Sequence, residues 1–389
     1  MLEYMTTKEK AKELGISERR IQQLCKAGYI DSVIKVGRQY LIPSAFKKIS
    51  ADEINLIHFF PTIALPLSEL IIDNPNQNFI DNDQRLLFNA EVYTYKMDYD
   101  SALDSLKNVN LDNDIKKISY YRILHKALIS KRDCEGIKIV RQKINEMYLN
   151  TTNQYIAFII SIVLLDLNMT IVLDAKTINK NFHTNIFKND FLAKLPFMYK
   201  PYVSFLYLFN MMKTADARYL SGFIEGFYIF RSDFSGYEIL DIHFQIILAI
   251  AYIKMKNIEL AKKLICDSVK RCFKDNVLFP IVRSHSAMCG LDLFYMDENQ
   301  YRRLYKIWKK ERANWSYVRR NLTNSVVIDT LTEREIAVYN LSKYGYSNSE
   351  IADALNLSLD TVKSYFSSIY QKLQVDGRKD LSELVICFV

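Results

Sequence analysis

Along most of this chain apolar positions recur every three to four residues, the spacing that turns one face of an α-helix toward a core. From about Ile80 to Arg320 that period predicts helices throughout, with only Pro196, Pro201 and Pro280 inside the run and no alternating segment to mark a strand. The strand-like exception lies near the start, where Val33 to Ile42 alternates about Gly37 as a hairpin does. Residues 51–78 break the pattern: Pro61, Pro66, Pro75 and the polar stretch Asp73 to Asn78 read as a connector. The pattern predicts a mainly α chain with four parts. These are residues 1–50, a linker at 51–78, a helical body at 79–322 and a terminal helical unit at 323–389.

Both ends carry sharp local signals. Near the C-terminus, Thr332 with Glu335 and Ser347 with Glu350 form two capping boxes, so a helix starts at each. The first buries Ile336, Val338, Tyr339 and Leu341 and stops at Gly345; the second carries Ile351, Ala352 and Leu355. Asn356 to Ser358 is a tight connection, and Ser358 caps a third helix with Val362, Phe366, Ile369, Tyr370 and Leu373 on one face. At the other end, Thr6 and Glu9 cap a helix through Leu14, and Gly15-Ile16 turns the chain. Ser17 caps a helix from Glu18 to about Lys26 with Ile21 and Leu24 inward, and Gly28 ends it. The hairpin follows, closed by Ile42-Pro43, and Ser44 caps a short helix.

The run Leu331 to Lys363, continued by Gln371 to Arg378, resembles the LuxR-type (GerE-like) helix-turn-helix over the whole module. That resemblance implies a four-helix unit whose third helix enters the major groove of double-stranded DNA. It places Lys363, Ser364 and Ser367 against the bases and Thr361, Asn348, Ser349 and Lys372 on phosphates. Lys363 has the reach for guanine O6/N7 or for a phosphate. It also implies a homodimer, with Leu381 to Val389 near the interface. Tyr365 stands where the family commonly has His, so no target sequence is implied. The stretch Tyr4 to Pro43 resembles the excisionase/MerR-like winged helix-turn-helix. Carried over, Ser17, Glu18, Arg19, Arg20, Gln22 and Gln23 present the recognition helix, and Arg38 and Tyr40 belong to the wing. A solvated helix face is the bland alternative for Arg19 and Arg20.

Within the helical body, Ala90, Tyr93, Ala102 and Leu106 have counterparts 34 residues on at Leu124, Ala127, Gly136 and Val140. The same internal spacing returns at Ala249, Tyr252, Ala261 and Ile265, while 150–240 holds no register. This small-aromatic-small-bulky spacing resembles tetratricopeptide repeats. It implies a TPR-like α-solenoid with a concave groove, serving as a sensor or oligomerisation domain for a peptide or small-molecule effector. Gly222 and Gly226 read as a close helix-packing pair.

Charge sharpens this reading. The 389 residues carry a formal net charge of +8, unevenly spread. Residues 1–50 hold ten Lys/Arg against five Asp/Glu, and 301–320 hold eight against one, whereas 329–389 hold six against nine. An acidic DNA-binding unit is awkward, because affinity for the duplex comes largely from phosphate neutralisation. The basic 301–320 helix is either a DNA-facing surface or a solvated face with Tyr301, Leu304, Tyr305 and Trp308 buried. The six cysteines are scattered without a Cys-x-x-Cys pair and no secretion pattern opens the chain, so reduced thiols in the cytoplasm are expected. No membrane span, metal cluster, phosphate loop or nucleophile motif is seen, so neither a cofactor nor an enzyme is expected. The expected function is a DNA-binding transcription regulator with two terminal helix-turn-helix modules around a helical core. The alternative is a helical-repeat adaptor whose terminal modules mainly bind protein partners.

Overall fold

A computed structural model describes residues 4–15, 17–26, 30, 33–37, 39–44, 82–170, 220–232, 238–323 and 330–383. The linker read at 51–78, the helix after Ser44, and most of the stretch without a repeat register lie outside the described residues.

The N-terminal unit runs β1 (Tyr4–Thr6), α1 (Thr7–Leu14), α2 (Glu18–Lys26), β2 (Ile34–Val36) and β3 (Gln39–Pro43). Thr6 and Glu9 form the expected capping box, and Gly15, at φ +66°, ends α1 in the left-handed conformation that glycine adopts without strain. The hairpin forms with Val36 opposite Gln39 around Gly37. The sequence pattern did not show that β1 joins it, pairing Tyr4 with Pro43, so the sheet has three strands in the order β1-β3-β2. Three residues are too few for a legible alternation. A separate core of Ala11, Leu14, Ile21, Cys25, Ile30 and Ile42 holds the unit together. Lys10 is wholly buried inside it, donating to Glu13 at 3.0 Å and to the Ser44 carbonyl at 2.7 Å.

The body is built from helical hairpins. α3 (Asn82–Tyr95) pairs with α4 (Tyr99–Leu106), α5 (Asp114–Ser130) with α6 (Cys134–Asn150), and, further on, α9 (Glu238–Lys254) with α10 (Ile258–Lys274). All three hairpins use one turn. A left-handed residue (Met97, Arg132 or Lys256) is followed by an N-cap (Asp98, Asp133 or Asn257) whose amide bonds back to the preceding helix. Ala90, Ala102, Ala127, Ala249 and Ala261 are fully buried where these helices meet. α7 (Gln154–Thr170) packs on α5 and α6, and α8 (Leu220–Ser232) on α9. No described atom lies within 4 Å of a Cβ built on Gly222 or Gly226, so close helix packing at that pair is not seen among the described residues.

After α10 come the short α11 (Phe279–Ser284), a 3₁₀ turn (Leu291–Tyr295) and the long α12 (Glu298–Leu322). α12 buries Leu304, Trp308, Trp315 and Val318 and leaves Lys306, Lys309, Lys310 and Arg320 in solvent. The last unit is α13 (Glu333–Lys343), α14 (Asn348–Leu355), α15 (Leu359–Leu373) and α16 (Arg378–Glu383). Every residue of α13 from Glu335 to Leu341 is buried. Seven consecutive buried residues cannot share one face of a 3.6-residue helix, so α13 is enclosed from both sides. α14 and α15 cover one side and the body covers the other, and one continuous apolar cluster runs through both units. Across this junction the buried Asn340 amide donates to the Ser286 carbonyl at 2.7 Å, and the Tyr346 hydroxyl to the Ile253 carbonyl at 2.6 Å. Gly290, at φ +73°, lies so near that an added Cβ would sit 3.7 Å from Ala337.

Candidate nucleic-acid interface

The C-terminal unit presents one exposed stripe. Ser358 caps α15, its hydroxyl accepting from the Thr361 amide at 3.1 Å and sharing a hydrogen bond with the Thr361 hydroxyl at 2.7 Å. Val362, Phe366 and Ile369 anchor the inner face of α15. The three- and four-residue spacing then turns Asp360, Lys363, Ser364 and Ser367 outward, and all four are exposed. Lys363 pairs with Asp360 at 3.1 Å, yet its side chain stays 58% exposed. The Ser367 hydroxyl donates to the Lys363 carbonyl at 3.2 Å, a bond that a base or phosphate can replace.

The residues read as phosphate contacts are placed differently. Ser349 is exposed on the first turn of α14, where free amides and the helix dipole favour an anion. Asn348 beside it is half-buried, its side-chain oxygen accepting from Arg378 at 3.1 Å. Arg378 also donates to the Ser342 hydroxyl and the Tyr346 carbonyl, and so ties α16 to the start of α14. Lys372 holds both oxygens of Glu335 at 2.7 Å. Glu335 is thereby a junction: it also accepts from the Thr332 amide and the Ser368 hydroxyl, each at 2.6 Å. Burial opposes its ionisation, but these donors hold it down to about 2.

The acidic charge of this unit has a structural answer. Two of its carboxylates turn toward the body, which supplies cations for them. Glu350 meets Lys256 at 2.9 Å. Glu333 meets His285 at 2.5 Å, and His285 bonds Asp292 at 2.5 Å on its other nitrogen. Burial alone would push the His285 imidazole down, but the two carboxylates outweigh it and raise it to about 10, so the ring is a cation at neutral pH. Neither Lys256 nor His285 was legible as part of this surface, because both lie outside the helix-turn-helix segment. The Asn257 cap beside Lys256 was the nearest local signal.

In the N-terminal unit, Ser17 and Arg19 are exposed at the start of α2, as is Gln22 one turn on. Glu18 is exposed beside them, but its carboxylate is engaged, accepting from the Thr7 hydroxyl at 2.7 Å and from Gln22 at 3.5 Å. Arg38 and the side chains of Arg20 and Gln23 lie outside the described residues. Tyr40 is half-buried against the core, and Lys35 stands over its ring at 5.7 Å from the opposite strand. Lys35 is therefore an exposed wing cation that the sequence pattern alone did not single out. Leu381, read as near a dimer interface, is buried within its own chain, and 384–389 lie outside the described residues. Among the described residues no cluster of His, Cys, Asp and Glu has metal-holding geometry, and no helix is long and apolar enough to cross a membrane.

Residues 329–385 match the family of bacterial regulatory proteins, luxR family, and residues 4–45 match a helix-turn-helix domain family. Over 50 residues the chain is 46% identical to the response regulator protein VraR of Staphylococcus aureus, covering 13% of this chain and 24% of that protein. The proteins of the same name from Staphylococcus saprophyticus and Staphylococcus epidermidis match to the same extent. The chain thus spans about a quarter of the length of these curated relatives. No solved structure matches it.

Proposed function

We propose that this chain is a cytoplasmic DNA-binding transcription regulator, not an enzyme. It reads two unlike DNA elements through its terminal helix-turn-helix modules. The TPR-like body between them senses an effector or joins two copies into a homodimer. One observation carries this reading: the α15 stripe of Lys363, Ser364 and Ser367 is exposed while Glu333, Glu335 and Glu350 are paired away from it. What remains on the stripe is Lys363 with its neighbour Asp360 and two hydroxyls, and Lys363 and the hydroxyls are suited to base edges and phosphates.

The test is capture of randomly fragmented genomic DNA by the full-length chain at moderate and raised salt, followed by sequencing. Two distinct elements at fixed spacing are expected. Lys363→Ala should then lower affinity and reduce the salt slope by about 1 if it contacts a phosphate, or relax one base position if it reads guanine. No salt-dependent enrichment from any fragment would overturn the reading in favour of an adaptor whose end modules bind proteins.

A further inference from the structure

Where α4, α5, α11 and α12 converge, the body holds a cleft that is partly open to solvent. Three cations line it: Lys126, Arg283 and Arg312. Its flat apolar walls are Phe279, Trp308 and Trp315. One carboxyl, Glu311, also faces it, 3.4 Å from the Tyr99 hydroxyl. Burial pushes Glu311 up to about 7, against the pull of Tyr99, so at neutral pH it offsets the cations only in part. Lys126 is 6% exposed and pairs with the buried Asp166 at 3.2 Å, which also meets Arg283 at 4.0 Å. The Trp308 indole N–H, in a residue 4% exposed, has no acceptor among the described residues.

We propose that this cleft is a binding site for a small anion with a flat apolar body, a carboxylate or phosphate on an aromatic frame, and that its occupancy is felt by the C-terminal module. The cations match the headgroup and the indoles match the frame. This rests on the regulator reading for its consequence, not for its chemistry. The route to the module is short. Arg312 caps the Trp308 ring at 5.4 Å and donates to the Leu331 carbonyl at 2.9 Å, just before α13. Trp308 in turn meets His285 edge-on at 5.0 Å, and His285 holds Glu333 of α13. An anion in the cleft draws on the same guanidinium that fixes Leu331, so the ligand and the docked module compete for Arg312.

Trp308 and Trp315 are the only two tryptophans in the chain, so emission excited selectively from tryptophan, and not from the 26 tyrosines, reports on this cleft. The full-length protein is titrated with phenylacetate, phenyl phosphate and, as a cation of the same shape, phenethylamine. A saturable emission change with one or both anions and none with the amine is expected, and the stronger anion identifies the headgroup class. Arg283→Gln should weaken that response about tenfold or more, and Arg312→Lys, which keeps the charge, should largely retain it. Circular dichroism of both variants confirms that the helices are intact. Equal response to the amine, or anion binding unchanged in Arg283→Gln, would overturn the site, as would no response to either anion. Binding to the captured DNA is measured alongside, with and without the anion. A changed affinity supports the link to the module, and an unchanged one overturns it. Intact DNA binding without an anion response removes this site and leaves the regulator; an anion response without DNA binding does the reverse.

Discussion

His285 shows how a single residue sets the docking of a whole module. It is 1% exposed, with Asp292 and Glu333 each 2.5 Å away, so it is a buried cation between the buried Asp292 and the half-buried Glu333. Its folded value of about 10 lies above the 6.5 of a free imidazole. The sign follows: the folded state holds the proton more tightly, so this stabilisation is full below pH 6.5 and is lost as pH rises through 10. Denaturant midpoints of the full chain should therefore fall between these limits, and His285→Gln should flatten that dependence. At pH 6.5 the substitution leaves the buried Asp292 carboxylate without its cation, which costs about 3–5 kcal/mol. An unchanged midpoint in His285→Gln would show that the clamp is not formed. A milder probe lies across the same junction. Tyr346→Phe removes only the hydroxyl that serves the buried Ile253 carbonyl at 2.6 Å, and should cost about 1–3 kcal/mol in the same measurement.

At the scale of elements, caps and turns were the most legible features and tertiary enclosure the least. Thr6 with Glu9, Thr332 with Glu335, and Ser347 with Glu350 could be read as helix starts because each capping box needs only four residues of sequence. The three hairpins of the body were visible through their small residues. The turn they share was not singled out, although Asp98, Asp133 and Asn257 each follow a left-handed residue. What stayed hidden was the second face of α13. Ile336, Val338, Tyr339 and Leu341 announce a core-facing helix, but nothing local says that Glu335 and Asn340 are buried too, since their partners lie on other elements. Candidate site residues divide the same way. Lys363, Ser364 and Ser367 were placed only by the family resemblance and are all exposed, whereas the ties of Lys372 to Glu335 and of Asn348 to Arg378 depend on packing. Ser358 tests the local part. Ser358→Ala removes the hydroxyl that caps α15 and should cost about 1 kcal/mol. DNA affinity should fall with it, because the same turn aims the stripe. Unaltered stability together with unaltered binding would show that α15 starts without this cap.

For the whole molecule, charge is arranged by unit rather than averaged over the chain. A net +8 conceals a C-terminal segment with more acids than bases. Docking on the body changes what that segment shows to a polyanion, because Lys256 neutralises Glu350 and His285, shared with Asp292, offsets part of the charge of Glu333. On this view the C-terminal module is a competent DNA reader only as part of the intact chain. Under the proposed function, the N-terminal module would add a second contact on the same tether, and two modest affinities would combine through effective concentration. Lys256→Glu separates docking charge from reading chemistry. It sits off the α15 stripe, but it exchanges the Glu350 partner for a like charge beside the first turn of α14, where a phosphate is expected. The full chain carrying Lys256→Glu should bind the captured DNA more weakly at low salt and converge toward the parent as salt rises, since screening shortens the repulsion. Lys363→Ala should differ by losing affinity at the base or phosphate it meets, and the two changes should add, because the sites share no partner. Binding by Lys256→Glu that matches the parent at every salt concentration would remove the body from the electrostatics of recognition and leave the acidity of the module to be balanced by its own residues.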